Sequence, residues 1–393
     1  MSTTHQSRSS KPVIAACVVQ FVVAYSVNFT SSFLTLFINK ELAFGNLSEA
    51  TLWAGVTQLV TSSATAFTQP FWGWLVDKTG GKKMLLRILI VYTFTIGLIS
   101  ISTNVYQVLA LRLIQGILGG TSTVVMAIIA SSVEGEDLTR AIGYQQSVQT
   151  AGFLVGPALG AAMAMAFGFR TCFLIAGLVM AAAIPFVLWA KFEDKKDTKS
   201  SSEKISFGSF KAIAPDFVSL ISIQAAYQFI APIVPLYLTE AGFGSDSLIG
   251  YTGLVLALST LAYAASIPFT TRLFKRKHLP ILLTISSAAI LFQGFFREIV
   301  GFTALRMTQC FFLSAGPSLL LGGAGSRKAN KGFAIGILNS GRFLGNALGP
   351  FIASSVAFAA NLTLSLTAMA LFSSIAIFVT IASILHKRTP TKT

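Results

Sequence analysis

Three arginines stand inside long apolar runs of this chain: Arg112 in Ala110-Leu-Arg-Leu-Ile-Gln115, Arg306 in Ala304-Leu-Arg-Met-Thr-Gln309, and Arg342 next to Gly341. A guanidinium keeps its charge at any accessible pH, so in apolar surroundings it needs water, a hydrogen-bonding partner or an anionic ligand. Each is a candidate cavity residue, Arg112 together with Gln115. For Arg112 a second reading stays open, in which it binds helix-end carbonyls and locks helix packing, and for Arg342 the alternative is a side chain that snorkels to the lipid interface. Tyr25, Asn28, Gln145, Gln149, Gln224, Tyr227 and Gln228 also interrupt apolar runs. They are candidates to line the same cavity, hydrogen bonding to a neighbouring helix being the alternative. Carboxylates are missing from this set: Glu41, Asp77, Glu134, Asp216, Glu240 and Glu298 fall at run ends or in loops, and His5, His278 and His386 lie in polar segments. The expected cavity is positively biased, suits an anionic or polycarboxylate ligand, and offers no metal or acid–base centre. No Gly-rich phosphate loop ending in Lys-Ser/Thr occurs, so ATP hydrolysis is not the expected driving force. Nothing points to an enzyme or to a cofactor.

The elements that position these residues follow from composition. With 53% hydrophobic and 11% charged residues over 393 positions and a mean hydropathy of +0.72, the chain is far too apolar for a water-soluble globule. A hydrocarbon core of ~30 Å needs about 20 apolar residues per helical span. Runs of that kind are read at 12–38, 50–74, 85–102, 106–131, 140–166, 170–191, 213–240, 246–270, 279–297, 300–322, 332–358 and 361–385. The polar start leads into the first run without a small-residue cleavage site, so no cleaved signal peptide is expected. Cys17, Cys172 and Cys310 have no paired spacing and read as small buried apolar residues. The net charge of +15 gathers at Arg8 and Lys11, Lys78 to Arg87, Lys191 to Lys211, Arg272 to Lys277, Arg327 to Lys331 and Lys387 to Lys392. The alternate loops carry only Lys40, Arg170 and Arg297. This is the positive-inside pattern of a multi-pass protein with both termini cytoplasmic, not the footprint of a nucleic-acid partner.

The chain repeats itself. Ala110-Leu-Arg-x-x-Gln115 returns as Ala304-Leu-Arg-x-x-Gln309, an offset of 194, and Gly152-x-x-x-Gly156-Pro157 returns as Gly345-x-x-x-Gly349-Pro350, an offset of 193. Two matched segments near half the chain length imply a duplicated six-helix unit. The expected division is a first bundle at 1–191, a charged, Ser-rich linker at 192–212 and a second bundle at 213–393, with the ligand site where the halves meet. Gln145, Gln149, Gly152 and Gly156 share one helical face by spacing; Gln149 and Arg342 are symmetry mates. Small residues four apart allow two helices to approach closely, and Pro157 loosens a backbone hydrogen bond.

The loop after the second run reads Gly73-Trp-Leu-Val-Asp77-Lys78-Thr-Gly80-Gly-Lys82-Lys83. It resembles the cytoplasmic G-x-x-x-D-[RK]-x-G-[RK]-[RK] signature of the major facilitator superfamily, departing at Gly81, where a basic residue is usual. Arg112, Gln115 and Gly116 resemble that family's R-x-x-Q-G signature, and Gly152 to Gly160 resembles the signature of its twelve-span drug:proton antiporters. The resemblance covers the whole chain and implies an all-α integral membrane fold of twelve helices in two six-helix bundles. It also implies a gating latch at Gly73, Asp77, Lys78, Gly80, Lys82 and Lys83, helix contacts at Gly152, Gly156, Pro157, Gly345, Gly349 and Pro350, and a role for Arg112 in proton transfer or substrate handling. The corresponding second-half loop, Arg272 to Lys277, lacks the aspartate, so a latch there is expected to be degraded. The function expected is secondary export of a drug-like or siderophore-like small molecule, coupled to protons, by a monomer in the inner (plasma) membrane. Import of an organic anion and a non-transporting membrane sensor are the alternatives.

Overall fold

The computed structural model describes residues 11–42, 46–132, 136–190, 213–244, 247–296, 298–325 and 331–386. They form twelve α-helices, five of them built of two segments, with one 3-10 turn at Arg276–His278 and no strand. In the first half α1 runs Lys11–Ser31 and Leu34–Glu41, α2 Leu47–Thr79, α3 Gly81–Ile99, α4 Val105–Ile117 and Thr121–Ser132, α5 Glu136–Phe167, and α6 Phe169–Ala182 and Ile184–Trp189. In the second, α7 runs Ala214–Gln228 and Ile230–Glu240, α8 Leu248–Leu273, α9 Leu279–Gln293, α10 Ile299–Leu313 and Ala315–Gly325, α11 Lys331–Ala359, and α12 Leu362–His386. Among the described residues, eight helices are long and apolar enough to cross a bilayer. Large apolar side chains such as Phe94, Leu178, Leu371 and Phe378 face outward, as a lipid-solvated surface requires.

The helix order matches the apolar runs, but five runs read as continuous are broken. Leu118 to Gly120 interrupts the fourth, and Ser32–Phe33, Ala183, Phe229 and Ser314 interrupt the first, sixth, seventh and tenth. At Gly120 the break needs a positive φ of 89°, which favours glycine. The linker 192–212 and Glu134 lie outside the described residues.

Packing repeats across the halves. Helix α1 lies on α5 as α7 lies on α11, α3 on α6 as α9 on α12, and α2 on α4 as α8 on α10; α2 crosses α11 as α8 crosses α5. The glycine motifs make the first pair possible. A methyl group on Gly156 would lie 2.9 Å from Tyr25 O and Phe29 N of α1, and one on Gly349 would lie 2.7 Å from Ala225 Cα of α7. With no hydrophobic drive between helices in lipid, close contact and buried hydroxyl pairs hold the bundle. Ser287 Oγ donates to Ser373 Oγ at 2.9 Å between α9 and α12, and Ser266 Oγ donates to Ser314 Oγ at 2.6 Å between α8 and α10. Gly156→Val should force α1 away and lower stability by about 1–3 kcal/mol. The check is a lower Tm in detergent than for Leu159→Val, on the exposed side of the same helix.

Candidate functional site

A cavity of about 210 Å³ lies on the seam between the halves, lined by α1, α2, α4 and α5 from one side and α7, α8, α10 and α11 from the other. A smaller lobe of about 90 Å³ shares Ser122, Gln149, Phe153, Tyr227, Gln228, Phe343 and Asn346 with it, and adds Gln145, Gln224, Asn339 and Arg342. Along α5 the 12 residues from Gln145 to Pro157 span about 18 Å, so the smaller lobe lies toward the end where α5 and α11 begin. At the opposite end the halves touch backbone to backbone. A methyl group on Gly253 of α8 would overlap Ala161 and lie 3.2 Å from Pro157 O; one on Gly55 of α2 would overlap Ser354 and lie 2.9 Å from Pro350 O. The two crossings are built alike, a glycine against the proline turn of the other half. Nearby, Arg170 binds Glu41 Oε2 at 3.0 Å, Ser100 O at 2.8 Å and Ser102 O at 3.0 Å, tying three loops of the first half together and holding Glu41 away from the cavity.

Of the expected cavity residues, Asn28, Arg112, Gln115, Gln149, Tyr227, Gln228 and Arg306 line the larger lobe, and Gln145 and Arg342 the smaller. Tyr25 lines neither: its ring stacks along α1 between Phe21 and Phe29, where Gly152 and Gly156 bring α5 against it. Pro157 and Pro350 line the larger lobe as well as the crossings. The expected latch residues sit within the first half. Lys78 Nζ lies over the Trp74 ring at 4.0 Å, Lys82 Nζ donates to Leu188 O at 3.3 Å, Lys83 is exposed, and Gly80 turns the chain with φ 84°. Gly73 faces Thr123 of α4, and the Asp77 side chain lies outside what the structure describes. In the second-half loop a basic residue is paired. Arg276 forks onto both oxygens of Asp216, which comes from the first turn of α7, not from the loop itself.

The two matched arginines are used differently. Arg306, 1% exposed, donates to Ala226 O, Tyr227 O and Gln309 Oε1, so it caps the carbonyls released where α7 breaks at Phe229. The packing-lock reading, opened for Arg112, holds for its mate. In α1 the equivalent break is closed locally, by Ser32 Oγ donating to Phe29 O at 2.8 Å and Thr30 Oγ1 to Ser26 O at 3.0 Å. Among the described residues, Arg112, 4% exposed, has one hydrogen-bond acceptor, Gln115 Oε1, at 3.1 Å. Its Nε and Nη2 have no hydrogen-bond partner among the described residues.

Two features escape a reading for single polar residues. On α2, Gln58, Thr61, Ser62, Thr65 and Gln69 line the cavity at helical spacing; the 4, 3, 4 rhythm of 58, 62, 65 and 69 was the available signal. The break in α4 is held by side chains: Thr65 and Thr68 donate to Gly116 O, Trp72 Nε1 to Ile117 O at 2.8 Å, and Arg87 Nη2 to Gly119 O at 2.7 Å. Arg87, grouped in sequence with the basic loop, is a buried-stem residue of α3 stacked on Trp72 at 3.3 Å. Among the described residues, no Asp or Glu lines either lobe.

Arg306→Leu should leave the α7 carbonyls unpaired, at about 1–3 kcal/mol each, and lower Tm in detergent. Arg112→Gln, which strands only one glutamine oxygen, should lower it far less.

Residues 16–324 match the family model described as Major Facilitator Superfamily. The chain is 28% identical over 350 residues to "Multidrug resistance protein MdtG" of Klebsiella pneumoniae (strain 342), covering 86% of this chain and 84% of that protein. It is 32% identical over 259 residues to "Multi-drug resistance efflux pump PmrA homolog" of Lactococcus lactis subsp. lactis (strain IL1403), covering 64% of each. In fold it is similar to a bacterial homolog of the human lysosomal transporter Spinster in an inward-facing, occupied conformation, with a TM-score of 0.77 at 13% identity over 98% of this chain and 100% of that one. It is also similar to the human organic anion transporter MFSD10, with a TM-score of 0.64 at 15% identity over 94% and 99%.

Proposed function

Because this chain belongs to the Major Facilitator Superfamily, we propose that it is a secondary active exporter of small amphiphilic molecules, coupled to the proton gradient and working by alternating access. The observation that carries the reading is the seam cavity, reached by both halves and closed at one end by the matched glycine–proline crossings. A ligand held there touches both bundles, so rocking about those crossings changes the side from which it is reached. Charge asymmetry between alternate loops supports cytoplasmic termini in the inner membrane. On that orientation the crossings seal the outer face, and the smaller lobe, with Arg342, leads toward the cytoplasm. The relatives named for multidrug resistance and efflux favour outward transport of drug-like compounds. A siderophore cargo has no comparable support. Since the described lining residues include no carboxylate, the coupling proton is assigned to a group outside that lining or to the substrate itself.

The test is retention of a panel of fluorescent amphiphiles by cells with and without the protein, with and without a protonophore. Lower retention of at least one compound, lost with the protonophore, is expected; raised accumulation would reverse the direction. Gly253→Leu, which overfills the α5–α8 crossing, should abolish net efflux while the protein stays folded, measured by the same retention and by its elution as a monodisperse species.

A further inference from the structure

We propose that the break in α4 is the anion subsite of the cavity and that it takes the carboxylate of an amphiphilic organic acid. The inference rests on the exporter reading for the identity of the ligand as cargo, but the subsite itself stands on geometry.

The Thr121–Ser132 segment of α4 starts inside the protein, and Gly120, Thr121 and Ser122 line the larger lobe. The first N–H groups of a helix have no partner within it, and they carry its positive end. The first intrahelical bond here is from Val124 N to Gly120 O, so the N–H groups ahead of Val124 have no acceptor within the helix. A helix start alone attracts anions weakly; the side chains around this one make it a site. Arg112, in the preceding Val105–Ile117 segment of α4, lines the same lobe, and its nitrogens left without a partner among the described residues, Nε and Nη2, form the side-on edge of the guanidinium. That edge grips a planar carboxylate through two parallel N–H···O bonds. Gln69, 6% exposed, lines the lobe with both amide atoms unpartnered among the described residues, and the buried Thr121 hydroxyl lies beside the Tyr92 hydroxyl in the same lining. Buried polar groups in this state cost stability unless a ligand or water completes them. Arg87 holds the break from behind through Gly119 O and adds a second positive charge. No carboxylate of the lining competes for these donors.

The symmetry-related position in the second half cannot do the same. Arg306 is engaged by the α7 carbonyls, so of the two matched arginines only Arg112 offers an open fork to the larger lobe, Arg342 lining the smaller one, and the apolar body of the ligand lies along Phe153, Leu256 and Phe343. A substrate is thus oriented, acid toward the first half.

The experiment is calorimetric titration of the full-length protein in lipid nanodiscs with 1-naphthoate and with 1-naphthamide, which share shape and differ in charge. Naphthoate is expected to bind at least tenfold tighter than naphthamide. Arg112→Gln should remove that preference, weakening naphthoate tenfold or more and naphthamide less than twofold. Gln69→Leu and Thr121→Val, which leave the arginine in place, should each weaken naphthoate alone by about threefold and keep the test open if the arginine variant does not fold. Equal affinity of the wild type for the two probes, or equal losses for both in the variants, would overturn the subsite. Efflux from cells is read separately: selective naphthoate binding by a protein that exports nothing would retain the subsite and sink the exporter reading.

Discussion

A permanently charged guanidinium in a low-dielectric bundle must have its donors occupied, and this constraint organises the centre of the molecule. Arg306 meets it with the carbonyls that a broken α7 releases, and so binds α10 to α7. Arg87 meets it in part at the broken α4, over Trp72. Arg112 meets it only through Gln115, because the matching break in α1 is closed by its own Ser32 and Thr30. The duplicated motif is therefore structural in one half and leaves an open fork in the other. That asymmetry arises from which neighbouring hydroxyls are present, not from the motif.

The seam obeys a second constraint. Two bundles that rock against each other need contacts that are close yet carry few directional bonds. Backbone meeting backbone, Gly55 on Pro350 and Gly253 on Pro157, provides closeness without interlocking side chains. The same proline-bearing helices hold α1 and α7 through Gly156 and Gly349, so each of α5 and α11 is fixed within its half on one face and meets the other half on another. The ion pairs Arg170 to Glu41 and Arg276 to Asp216 each lie within one half.

Much of this was legible in the sequence, and for identifiable reasons. Apolar runs of spanning length gave the helix order, and the matched offsets of the Arg-Gln and Gly-Pro motifs gave the duplication, since both are periodic and survive without packing detail. Arg112, Gln149, Gln228 and Arg342 were found because a polar group in an apolar run is conspicuous. The breaks in α4 and α7 were not, because Leu118-Gly-Gly120 and Phe229 are themselves apolar and leave hydropathy unchanged. The α2 stripe was overlooked because threonine and serine do not stand out as charges do. Tyr25 was expected at the cavity, and its neighbours along α1 do reach it; which side of α1 meets α5 is decided by Gly152 and Gly156, which belong to another helix far along the chain and leave no mark on the local pattern around Tyr25. Arg87 was read with the loop because sequence proximity to Lys82 and Lys83 conceals that it is a full turn inside α3.

The central claim is that the glycine–proline crossings close one end of a cavity that opens alternately to either side. Spin-label distances across the seam test it most directly, with one pair on the exposed residues Phe167 and Tyr251 at the crossing end and a second pair at the far ends of the same two helices, α5 and α8. The account predicts two populations for each pair, with the short distance at one end accompanying the long distance at the other. A single unchanging distance at both ends, in nanodiscs with and without an imposed proton gradient, would contradict it.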